Sequence, residues 1–131
     1  MRNLTWQQFD SAVKIIASRY VSDSLTGVYG VPRGGLCLGV ALSHELGLPL
    51  LQDCKPGCLV VDDVYETGKT LQAIRNQMDA RFVVWVTKCS PDWWGAVITM
   101  PNDEWLVFPW ENVDFAQEDE RRYQASRSST N

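Results

Sequence analysis

Residues 58–71, CLVVDDVYETGKTL, constrain the fold more than any other part of this chain. Four apolar residues lead into the adjacent carboxylates Asp62 and Asp63. A glycine-containing turn, Glu66-Thr67-Gly68-Lys69-Thr70, follows at once, and a helix-like pattern runs on to about Met78. A strand that turns tightly into a helix brings unpaired backbone N–H groups and the positive end of the helix to one point. Glycine lets the chain approach an anion closely. Thr67, Gly68, Lys69 and Thr70 therefore read as a phosphate cradle of amides and two hydroxyls. Asp62 and Asp63 would repel that phosphate if they pointed into it. They suit sugar hydroxyls, or a magnesium ion shared with them.

The GKT triplet invites comparison with a nucleotide-triphosphatase P-loop. That motif requires glycine five positions before Gly68, where this chain has Asp63. It also requires the strand to end before the glycine-rich turn, whereas here the acidic pair intervenes. A P-loop is excluded on both counts.

The alternation along the chain predicts an α/β fold, a parallel sheet with helices on both faces. Thr5 is placed to cap a helix whose apolar face is Phe9, Val13, Ile16 and Ala17. Strands are expected at 27–31, 48–51, 59–61 and 82–87, with helices at 36–46 and 70–78. Gly47 stands where a left-handed helix cap belongs. Shorter strands are expected at 96–99 and 105–108. The expected organisation is one domain over 1–115 and a polar tail over 116–131, starting as a short helix and partly disordered at its end.

A net charge of −4 argues against general nucleic-acid affinity, so an anionic substrate must be held locally. No run approaches the roughly 20 apolar residues of a membrane span, and the N-terminus does not read as a signal peptide. Cys37, Cys54, Cys58 and Cys89 are expected to be free thiols in a reducing cytoplasm, with no zinc site.

VVDDVYETGKT resembles the phosphoribosyl pyrophosphate (PRPP) binding motif of the type I phosphoribosyltransferases, and VYGVPRGG at 28–35 resembles their pyrophosphate loop. TWQQF near the start, Lys88 after a late strand, and WLVFPWE at 105–111 resemble the bacterial xanthine-guanine branch. The resemblance implies transfer of a 5-phosphoribosyl group from PRPP to a 6-oxopurine, with release of pyrophosphate and with Mg2+ as cofactor. It implies that Arg33, Gly34 and Gly35 bind pyrophosphate, and that Asp62 and Asp63 hold the ribose hydroxyls directly or through the metal. Glu66, Thr67, Gly68, Lys69 and Thr70 would cradle the 5-phosphate. Glu66 stands where purine enzymes have an aspartate near the base N7. Lys88 would donate to the exocyclic O6, and Trp105, with Leu106 beside it, would stack on the purine. The family also implies a homodimer or homotetramer, and allows a cis bond between Pro32 and Arg33.

One departure is plain. The family inserts a flexible hood loop of about 20 residues before the PRPP motif; LLQDCKPG at 50–57 is too short for one. That keeps two other classes open: a PRPP- or nucleotide-binding regulator without efficient transfer, and transfer to a non-purine acceptor.

Overall fold

The buried apolar runs become the middle of a five-stranded, all-parallel sheet. The computed structural model describes residues 1–101 and 104–129. In chain order the elements are β1 (Arg2–Asn3), α1 (Trp6–Tyr20), β2 (Val28–Gly30), α2 (Leu36–Leu46), β3 (Leu50–Leu51), β4 (Leu59–Tyr65), α3 (Lys69–Gln77), β5 (Arg81–Thr87), β6 (Gly95–Thr99), β7 (Leu106–Val107) and α4 (Val113–Ser129). They divide between two compact units, Asp10–Asn102 and a smaller one of Met1–Phe9 with Asp103–Asn131.

In the larger unit the strand order is β3-β2-β4-β5-β6. Alternate residues point to opposite faces, as the pleat demands. On one face Val60, Phe82, Val84 and Trp94 pack with Leu71, and Ile74 of α3 covers them. On the other, α2 lies so close to β2 and β4 that a methyl at Gly39 would sit 3.0 Å from the Gly30 Cα and 3.5 Å from Val61. The last turns of α1 reach the β6 edge, where Arg19 Nη1 donates to the Ala96 carbonyl at 2.8 Å. The α/β class, with parallel strands and helices on both faces, is as expected. Helix α2 begins and ends where the pattern placed it, and Gly47 caps it at φ 65°.

β4 is longer than its apolar residues suggest. It continues through the acidic pair to Tyr65, because β5 offers a pairing partner all along, with Asp62 opposite Val84 and Tyr65 opposite Thr87. Cross-strand pairing decides strand length here, not hydrophobicity.

In the smaller unit, β1 pairs in parallel with β7, Arg2 opposite Leu106. Thr5 caps α1 reciprocally: its hydroxyl accepts from the Gln8 backbone N–H at 3.1 Å, and the Gln8 side-chain Oε1 accepts from the Thr5 N–H at 2.8 Å. Trp6 packs edge-on against Phe9, and Phe108 stacks on Trp110. Helix α4 runs from Val113 to Ser129; residues 130 and 131 lie outside the described residues. Its physical basis is a cap and local pairing. Asn112 Oδ1 accepts from the Asp114 and Phe115 amides at 2.9 and 3.2 Å, Ala116 is buried, and Arg122 pairs with Glu118 at 2.7 Å.

Candidate active site at the carboxyl ends of β2 and β4

From β2 the chain winds outward to β3, and from β4 it winds the opposite way to β5 and β6. The neighbouring ends of β2 and β4 therefore diverge and leave a crevice, the place where open α/β sheets bind ligands. Both motifs singled out in the sequence leave the sheet at this crevice.

The β2–α2 loop, Pro32, Arg33, Gly34 and Gly35, is tied to β4 by backbone. The Val31 N–H donates to the Val61 carbonyl at 2.9 Å, and the Gly35 N–H to the Val31 carbonyl at 2.8 Å. The Pro32–Arg33 peptide is cis. Arg33 is exposed, free to meet an anion from solvent. Gly34 lies against the Asp63 carboxylate, so closely that any side chain at 34 would overlap it. That contact joins the two motifs.

Asp63 Oδ1 accepts from the Val64 N–H, and Asp62 Oδ1 from the Asp63 N–H, both at 2.8 Å. Burial, and then the charge of Asp63, push the Asp62 carboxyl up to about 8. Burial also raises Asp63, against hydrogen bonds to Asp62 and backbone that hold it down. Two partly buried carboxylates with raised proton affinity make a site in want of a cation. Among the described residues no group of three or more His, Cys, Asp or Glu side chains is arranged for a metal. Magnesium does not need one, since it is held by one or two carboxylates together with waters and substrate phosphates. The hard oxygen donors of Asp62 and Asp63 fit that ion.

Residues 62–71 line a cavity of about 260 Å³. Glu66, Thr67, Lys69 and Thr70 are exposed around it, and Gly68 is buried. Gly68 starts α3 at φ 74°, a left-handed conformation that glycine adopts without strain. No acidic residue occupies the first turn of α3; the Lys69 N–H reaches the Thr67 hydroxyl at 3.5 Å, and the leading amides of a helix have no partner within the helix itself. Such a helix start has the geometry that can receive an anion.

Lys88 stands at the neighbouring strand end, half-buried, its backbone N–H bonded to the Tyr65 carbonyl at 2.9 Å. Arg33, Gly34, Gly35, Asp62, Asp63, Glu66, Thr67, Gly68, Lys69, Thr70 and Lys88 thus share one unit and one edge of its sheet. Trp105 and Leu106 belong to the other unit. There Trp105 packs on Tyr123, with ring centroids 5.2 Å apart, and Leu106 is buried in β7. The connection between β3 and β4 is only residues 52–58, in keeping with a missing hood. The four cysteines are free, and Cys54 and Cys58 approach to 3.7 Å between sulfurs.

Two residues escaped the sequence reading. Tyr65 closes β4 with its ring over Gly68, and Trp94 stacks on Tyr65 at 3.8 Å and 9°. Only the chain order Tyr65-Glu66-Thr67-Gly68 hinted at the first, and nothing local signals the second.

No family model matches the chain. Solved structures do. A purine phosphoribosyltransferase from Pyrococcus horikoshii Ot3 superposes with a TM-score of 0.71 at 29% identity, over 85% of this chain and 94% of that one. The fold is type I phosphoribosyltransferase-like. A Helicobacter pylori xanthine-guanine-hypoxanthine phosphoribosyltransferase gives 0.68 at 19% identity, over 91% and 98%. A hypothetical protein from Neisseria gonorrhoeae with bound ppGpp gives 0.65 at 17%, over 95% and 97%. Among the described residues no helix is long and apolar enough to cross a membrane.

Proposed function

We propose that this protein transfers the 5-phosphoribosyl group of PRPP to a 6-oxopurine (guanine, xanthine or hypoxanthine) and releases pyrophosphate. The observation that carries this reading is the contact of Gly34 with Asp63, which sets a pyrophosphate-type loop beside an acidic pair and a phosphate cradle at one switch point. The 29% identity to the Pyrococcus purine enzyme supports it.

In this reading the amides and hydroxyls of Thr67, Gly68, Lys69 and Thr70 anchor the 5-phosphate. Asp62 and Asp63 orient the ribose hydroxyls. Magnesium, when bound by Asp62 and Asp63, supplies charge compensation to the pyrophosphate. Breaking the bond between C1 and the pyrophosphate oxygen leaves positive charge on the sugar and negative charge on the leaving group. Arg33 and the Gly34 and Gly35 amides stabilise the latter, and such preorganised donors act where charge develops. Glu66 accepts the proton that the attacking purine nitrogen gives up. Lys88 donates to the exocyclic O6, which favours oxopurines over adenine.

A second reading rests on the seven residues between β3 and β4. Without a hood over the substrates, water is less well excluded. That favours a PRPP- or nucleotide-binding regulator, a class in keeping with the ppGpp complex of the Neisseria relative. Glu66, one methylene longer than aspartate, leaves a non-purine acceptor as a third.

The test is chromatography of nucleotide and pyrophosphate after incubation with PRPP, magnesium and each of guanine, xanthine, hypoxanthine, adenine and uracil. Nucleotide from an oxopurine supports the transferase. PRPP binding without nucleotide from any base supports the regulator. Lys88→Ala should reduce oxopurine transfer more than tenfold while PRPP affinity holds; an unchanged base profile would take Lys88 out of the base site.

A further inference from the structure

We infer that Tyr65, held by Trp94, is a positioning residue for the phosphate cradle. The inference rests on the phosphate reading above and adds how the cradle is set. Tyr65 is the last residue of β4, immediately before Glu66, Thr67 and Gly68. Its ring and hydroxyl lie where any side chain at Gly68 would have to go. The turn therefore folds down onto the tyrosine, and the height of the ring sets where the amides of α3 begin.

That ring is itself fixed from behind. Trp94 stacks on it face to face, centroids 3.8 Å apart, and Trp93 meets it edge-on at 5.9 Å. Trp94 is buried, and its Nε1 donates to Thr87 Oγ1 at 3.2 Å. Thr87, fully buried, in turn donates to the Cys89 carbonyl at 2.9 Å. Tyr65 also accepts, at its carbonyl, the backbone N–H of Lys88. The stack thus links the phosphate turn to the end of β5 that carries Lys88, and both termini of the candidate site hang on one aromatic pair. The consequence of this stack is positional, because a site displaced by about 1 Å can lose about 100-fold in rate.

The experiment compares wild type, Tyr65→Phe, Tyr65→Leu and Trp94→Phe in full-length protein whose folding is verified by circular dichroism. Calorimetry measures ribose 5-phosphate and PRPP binding, and steady-state kinetics measures transfer. Tyr65→Leu should weaken both ligands about tenfold and raise KM for PRPP, leaving kcat within about twofold, the pattern of lost positioning in ground and transition states alike. Tyr65→Phe keeps the ring and should stay within about twofold of wild type. Trp94→Phe, which keeps a ring but loses the Thr87 bond, should weaken PRPP about threefold; it decides the matter if Tyr65→Leu does not fold. Unchanged affinity in folded Tyr65→Leu, or in Trp94→Phe where that variant must decide, would overturn the inference. So would Tyr65→Phe proving as damaged as Tyr65→Leu. Wild type that binds neither ligand would overturn the phosphate reading first, and this inference with it.

Discussion

The two loops at the switch point are held in different ways. The β2–α2 loop is fastened by backbone: Val31 and Gly35 close hydrogen bonds to Val61 and Val31, and Leu36 bonds to Arg33. Among the described residues the β4–α3 loop has one such tie, from the Gln72 N–H to the Gly68 carbonyl, with a 3.5 Å contact from the Lys69 N–H to the Thr67 hydroxyl and the Tyr65 ring against Gly68. Backbone ties tolerate most side-chain changes, whereas a loop resting on a side chain inherits that side chain's fate. The first loop should therefore fail mainly when its glycines are filled, and the second whenever its aromatic support is altered.

Filling Gly68 is the strongest way to test this contrast. Gly68→Ala forces a non-glycine residue to φ 74° and drives its methyl into Tyr65, at a cost of about 1–3 kcal/mol in stability from the backbone alone. Thermal denaturation should show the loss, and PRPP affinity should fall more than tenfold. In a Tyr65→Leu background the added cost should shrink, since the overlap is gone; strict additivity would mean that the two residues do not act on one another.

Gly34→Ala probes the backbone-tied loop. The three atoms nearest its methyl all belong to the Asp63 carboxylate, so the fold should hold while magnesium-dependent PRPP binding drops about tenfold. Asp63→Asn should lower the same binding without the steric insult. Calorimetry with and without magnesium checks both, and a native-like affinity in Asp63→Asn would take Asp63 out of the site.

The acidic pair can also be tested through pH. Asp62 titrates near 8 in the folded protein, against about 4 for an ordinary aspartate. Between those values the folded state binds more protons than the unfolded one, so stability falls as pH rises through the window. Denaturant midpoints of metal-free protein from pH 4 to 8 should show that decline, and Asp62→Asn should flatten it. A parallel decline in the variant would assign it to other groups.

Much of this molecule was legible because local rules coincide with the tertiary result. The apolar runs at 59–61 and 82–87 are buried on both faces, so they read as parallel strands and fold as such. Gly47 ends α2 where its conformation is needed, and Thr5 and Gln8 form the cap their spacing allows. Of α4 only a short helical start was read from the sequence, because its charged composition carries little apolar periodicity. β1 was not legible, since two exposed residues carry no pattern and acquire strand geometry only from β7.

The sequence by itself determined the order of strands and helices, the two glycine loops and the acidic pair, because periodicity, turn chemistry and burial act within a few residues. Tertiary structure alone decided that Gly34 meets Asp63, 29 positions away, and that Tyr65 meets Trp94 across two strands. It also decided that Asp62 and Asp63 sit within a paired strand whose burial raises their proton affinity. Such contacts depend on strand order and register, which no local stretch of chain encodes.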